Sequence, residues 1–228
     1  MLSTSKEVSE DPSLSSITRS TGAVPEGGRI FPTESLTPVQ ITTSLSKFGF
    51  ESIVHHLEEK TAVQDSKELS YAYVSNDIPL LIGGTVFRKE EGELKPVGDH
   101  LVCALGYRAK GADDSDSKVN LKGRAVDRLY VHDDRYGPYL SWKEAQVDIP
   151  VVGASDENAT RNATVWEYGL KDEADAIIND REEYFLPDLV ICGMNHKIRI
   201  PFSEVLNSCE AFTRYIEQDM LSIKLKVD

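Results

Sequence analysis

Cysteine is scarce in this chain: Cys103, Cys192 and Cys209 are the only three in 228 residues, at wide and unmatched spacings. That excludes a disulfide framework and a CxxC metal knuckle, and it fits a reducing compartment. Basic charge is also in deficit, with 25 Lys and Arg against 38 Asp and Glu, a formal charge of -13 and a pI of about 4.9. Such a surface repels polyphosphate backbones, so nucleic acid is not an expected partner. No apolar run approaches the roughly 18 residues of a membrane span, and the opening MLSTSKEVSEDPSLSS lacks the apolar core of a signal peptide. The expectation is a cytoplasmic protein without a membrane segment. Sequons at Asn158 and Asn162 need a secretory route that nothing in the sequence supplies.

What is present reads as one domain over residues 29–228 behind a disordered segment, 1–28, whose Ser, Thr, Glu, Gly and Pro content cannot offset its ordering entropy. Thr37-Pro38 followed by Val39, Ile41, Leu45 and Phe48, and closed by Gly49, predicts a capped helix. Phe50 to His56 predicts a strand, and Glu58 to Ser70 a turn and the start of a second helix. IPLLIGGTVF, residues 78–87, has the continuous apolar character of a strand buried on both faces. Leu101 to Tyr107 and Arg128 to His132 are the next strands, with a polar surface excursion between them at Ala109 to Gly123. Val147 to Val152, Thr164 to Tyr168 and Leu189 to Met194 are rich in β-formers. Phe202, Val205, Leu206, Cys209, Phe212, Tyr215 and Ile216 recur at helical spacing, and Leu221, Ile223, Leu225 and Val227 alternate as an edge strand would.

The chemistry concentrates in DHLVCALGY, residues 99–107, and LYVHDDRYGPY, residues 129–139. Two strands so placed set a histidine, His100, beside an aspartate, Asp133. An imidazole that takes a thiol proton, with a carboxylate fixing its tautomer, makes two-thirds of a catalytic triad. Residues 36–139 resemble the C-terminal part of a papain-like cysteine peptidase domain, most nearly the bacteriocin-processing, double-glycine peptidases. The motifs that carry the resemblance are Pro79 in IPLLIGG, the His100 strand ending in Gly-Tyr, and the strand ending at Asp133, with Asp134 where the family often has Pro.

The resemblance implies an α+β fold, an antiparallel sheet with helices packed at one side and the N-terminal helical lobe reduced or missing, with 140–228 as a C-terminal extension. It implies His100 as base and Asp133 as its orienter. No Cys precedes His100, so the nucleophile is lost or lies outside this chain, and the chain alone is expected to be inactive. The alternative is a non-catalytic peptide- or protein-binding scaffold that uses the old cleft, with Asp134, Tyr136 and Tyr139 at its rim. No cofactor is expected. Cys103 falls on the strand face opposite His100 and, like Cys192 and Cys209, reads as a small core residue. His55, His56, His132 and the two aspartates do not space as a metal site, because adjacent strand residues point to opposite faces.

Overall fold

The computed structural model describes residues 13–21, 36–110, 122–151, 159–169 and 182–195, with positions 207, 208 and 214. The chain divides into two units, Met1–Met194 and Asn195–Asp228. The first is built, in chain order, from α1 (Leu14–Ser20), α2 (Pro38–Lys47), β1 (Phe50–His56), α3 (Ala62–Val74), β2 (Leu80–Glu90), β3 (Glu93–Ala109), a 3-10 turn (Lys122–Ala125), β4 (Val126–Asp133), β5 (Gly137–Pro150), β6 (Thr160–Gly169) and β7 (Glu183–Asn195). The expected helix over 202–216 lies outside the described residues apart from three helical positions, and the strand over 221–227 lies outside them altogether.

Local chemistry sets the first elements. Thr37 caps α2 by accepting from the backbone of Gln40, whose own side chain accepts from the Thr37 N–H, a reciprocal capping box with Pro38 in the first turn. Gly49 then takes the left-handed conformation that turns the chain into β1. Inside the segment expected to be disordered, Leu14–Ser20 forms α1, whose Ser20 hydroxyl meets Ser44 of α2.

The sheet order is β1-β7-β2-β3-β4-β5-β6, and β6 pairs again with β7. Six strands, β2 to β7, therefore close into an antiparallel barrel, with β1 alongside β7. This overturns the expected α+β arrangement of a papain-like sheet with helices packed at one side. The reason lies in residues beyond 139: the part expected to be an extension supplies most of β5 and all of β6 and β7, and β7 enters between β1 and β2 and closes the ring.

Register fixes which side chains face inward, since residues opposite one another in an antiparallel pair share a face. Leu80 lies between Ala104 and Cys192, Ile82 between Val102 and Val190, and Trp142 between Leu129 and Tyr168. All nine are buried and form the barrel interior. On the opposite face Phe87, Ile149, Ala163 and Val165 make a second cluster between the two long hairpins. Helix α3 packs on β2, β3, β4 and β6. It is pinned by the Trp166 Nε1–H donated to Ser66 Oγ at 3.1 Å and by Lys67, nearly fully buried, bonded to Glu144 at 2.9 Å.

At Gly84 the closure leaves no room for a side chain. The β2–β7 register shifts there, opposite Pro187, and an added Cβ would overlap the Leu186 carbonyl oxygen and lie 2.8 Å from the Pro187 Cα. Both neighbours are backbone, so β7 itself must move. Gly84→Ala is expected to destabilise the fold by about 1–3 kcal/mol, read as a lowered urea midpoint. Gly106→Ala, whose Cβ would meet Tyr130 at an ordinary 3.5 Å, should cost much less.

Candidate functional site

The middle of β3, the end of β4 and the tight turn into β5 bring the sequence-predicted residues together. His100 faces the interior opposite Gly84, and its Nε2 lies 3.1 Å from Asp133 Oδ1 and 3.3 Å from Asp134 Oδ1. Asp133 is fully buried and Asp134 is 80 % exposed, so the imidazole stands between an interior and a solvent-facing carboxylate.

Asp133 is not reserved for His100. Its Oδ1 also accepts from the Arg135 backbone N–H at 2.8 Å and from Arg135 Nε at 3.3 Å, and its Oδ2 accepts from Arg135 Nη2 at 3.1 Å. Burial alone would raise the Asp133 pKa. The hydrogen bonds from His100 and from the Arg135 side chain and backbone outweigh it and hold the carboxyl far below the usual range. Burial likewise opposes the Arg135 charge, and its bonds to Asp133 win, raising that pKa further.

The network continues inward. Arg135 Nη2 donates to the Tyr168 hydroxyl at 2.9 Å, and Nη1 lies 3.4 Å from Glu183 Oε2. The opposite oxygen of the fully buried Glu183 accepts from Arg88 Nε at 2.8 Å and pairs with Nη2 at 2.7 Å. The guanidinium of Arg135 also lies over the rings of Tyr136 and Tyr168, 5.0 and 5.4 Å from their centroids. Burial pushes both phenols up, so neither ionises near neutrality. Two guanidiniums thus balance two buried carboxylates.

Sequence reasoning missed Arg88, Arg135, Tyr168 and Glu183 as site residues. A signal for one of them was present: Arg88 keeps the alternation of Leu80, Ile82 and Val86 and therefore belongs to the inward set.

No thiol among the described residues stands ready for His100. Cys103 lies across from His132 and Leu81, on the face away from His100. It is half-buried rather than buried, and burial raises its pKa. Cys192 is fully buried opposite Leu80, its pKa pushed up to about 12 by burial. Cys209 lies outside the described residues.

His100, Asp133 and Asp134 do bring three ligand-type atoms within 4.8 Å of one another. Both Asp133 oxygens already accept from Arg135, whose positive charge would abut any cation placed there. The chemistry of the set does not favour a metal.

Of the predicted rim, Tyr136 packs edge-on to Tyr168 at 5.8 Å, while Tyr139 is 71 % exposed. The β4–β5 register explains Tyr139. Val131 pairs with Leu140 and Asp133 with Gly137, so His132 alone faces Pro138 and Tyr139. This is a bulge, and it holds Tyr139 at φ 60°, a left-handed conformation that an aromatic residue rarely takes. A separate recess of about 600 Å³, lined in part by Lys89, Leu94, Lys95, Val147 and Tyr184, includes none of these residues.

No helix among the described residues is long and apolar enough to cross a membrane. Comparison with protein-family models, with curated proteins and with solved structures finds no match.

Proposed function

We propose that the protein is a non-catalytic binding module that takes a basic peptide segment of a protein partner at the rim of the β4–β5 turn. The observation that carries this is that the β4–β5 connection exposes both a carboxylate, Asp134, and an aromatic, Tyr139, the latter held in a strained backbone conformation by a bulge. Bulges re-aim side chains, and an aromatic kept out of the core at a conformational cost fits contact with a ligand. A carboxylate and a phenol ring are together suited to an ammonium or guanidinium group, and the overall charge of -13 attracts the same partners. The Asp133 environment supports the non-catalytic part of this reading. A carboxylate held at both oxygens by Arg135 anchors the turn first and orients His100 second, and neither described thiol reaches the ring.

The test is fluorescence anisotropy with labelled peptides of equal length that are Lys/Arg-rich, neutral or Glu-rich. The basic peptide is expected to bind, and Asp134→Asn to weaken it by about tenfold, the scale of one charge-assisted hydrogen bond. Equal affinity for all three peptides, or none for any, sinks the reading. Peptide cleavage that disappears in His100→Ala would replace it with a peptidase whose nucleophile is yet to be found.

A further inference from the structure

The outer face of β3, β4 and β5 carries an arrangement that the rim site does not use. Arg108 of β3 lies directly across from Arg128 of β4, and Arg128 directly across from Lys143 of β5. Like charges placed opposite one another in a sheet repel, so three cations abreast are a standing cost to the fold. In a chain with 13 more acidic than basic residues, such a row is not a consequence of composition. Lys110 and Arg124 border the same recess, which has a volume of about 390 Å³.

The carboxylates nearby do not neutralise the recess. Asp127 holds Arg108 in a two-bond fork, at 2.9 Å to Nε and 2.5 Å to Nη2, Glu68 takes Arg124 at 3.1 Å, and Glu144, which also lines the recess, pairs with Lys67 at 2.9 Å. Arg128 donates to the Ser141 hydroxyl at 3.2 Å, and among the described residues neither it, Lys110 nor Lys143 has an ion-pair partner. Three cations with no ion pair among the described residues, Lys110, Arg128 and Lys143, thus share a concavity of small-molecule size, where the planar fork of the Arg128 guanidinium matches phosphate oxygens.

We propose that this recess is a binding site for a small, multiply charged phosphate-bearing ligand, separate from the rim site. Bound there, the anion relieves the repulsion along Arg108, Arg128 and Lys143 and stabilises the native state by mass action. Carbonyl or amide ligands would leave that repulsion in place, which is why the ligand must carry charge.

The probe is inorganic pyrophosphate, titrated calorimetrically into the full chain at two salt concentrations. The expected result is saturable one-to-one binding that weakens with salt. Arg128→Gln should weaken it by about tenfold or more, as loss of a charged hydrogen-bond donor does. Lys143→Gln, at an exposed position where folding is not at stake, should weaken it by a smaller factor, and Lys89→Gln in the other recess should leave it unchanged. Absence of saturable binding at millimolar pyrophosphate overturns the proposal, as does equal loss in all three variants. Binding that appears only when Asp113, Asp114 and Asp116 are replaced by Asn assigns the recess to the chain's own acidic segment and also overturns it.

Discussion

Asp133→Ala is expected to lower the unfolding free energy by about 3 kcal/mol, the cost of removing one partner from a buried ion pair. The carboxylate is fully buried, and its removal strands Arg135, which loses three hydrogen bonds at once and keeps, among the described residues, the Tyr168 hydroxyl, a 3.4 Å approach to Glu183 and the faces of Tyr136 and Tyr168. Arg135 is 28 % exposed, and this residual hydration places the effect at the low end of the buried-pair range.

His100→Ala should cost clearly less, near 1 kcal/mol, because it removes one of several bonds to Asp133 and leaves the Arg135 pair intact. A ranking with His100→Ala the more damaging would mean that Asp133 serves the imidazole first. The pH dependence follows from the depressed native pKa of Asp133. A lowered native pKa stabilises the fold fully above the unfolded aspartate range, and that contribution is lost as pH falls through the native value. Acid titration of the wild type should therefore show a stability loss below about pH 4 that Asp133→Ala lacks. Both are measured by urea denaturation across pH.

The parts of the fold that were legible in the sequence are those fixed by neighbours in the chain. Thr37, Pro38 and Gly49 specify α2 and its exit into β1 through capping and backbone conformation alone, and the expected strand matches Phe50–His56. The apolar run around Ile82 is a strand, paired at its two edges with β3 and β7, whose Leu80, Ile82, Val86 and Phe87 are buried. Closure of the barrel was not legible. It depends on β7 reaching across to β6 through Phe185 and Tyr184 opposite Trp166 and Glu167, a pairing between distant segments with no local signature. The resemblance carried by the His100 and Asp133 strands pointed instead to an antiparallel sheet with helices packed at one side.

The His100–Asp133 approach was legible because two adjacent hairpin strands place it. The rest of the network was not, because Arg88 and Glu183 sit at strand ends, where a charge reads as a turn residue. Arg135 lies in a Gly-Pro turn whose polarity reads as solvent-facing, yet its guanidinium folds back under Tyr136 to reach the interior. An inward-facing charge is visible in sequence only once the parity of its strand is known.

The chain has only two tryptophans, Trp142 and Trp166, both fully buried and with ring centroids 6.2 Å apart, and they separate packing from hydrogen bonding in the barrel core. Trp142 also lies 4.6 Å from Phe185 and 5.3 Å from Tyr168, so it joins β5 to β6 and β7 across the closing seam. Trp142→Ala is expected to cost about 3–5 kcal/mol, from lost burial and from a cavity that rigid strands cannot collapse. The Phe variants are more telling. Among the described residues Trp142 Nε1 is buried without a hydrogen-bond partner, so Trp142→Phe removes an unsatisfied donor as well as ring area. Trp166 Nε1 donates to Ser66, the bond that pins α3 to the barrel, so Trp166→Phe loses area and a satisfied bond together. Trp166→Phe should therefore be the more destabilising of the two by about 1 kcal/mol, and it should increase exchange of the α3 amides. Denaturation followed by the fluorescence of the remaining tryptophan measures the difference. Equal costs would mean that the Ser66 bond contributes nothing and that α3 is held by Lys67 and apolar contact alone.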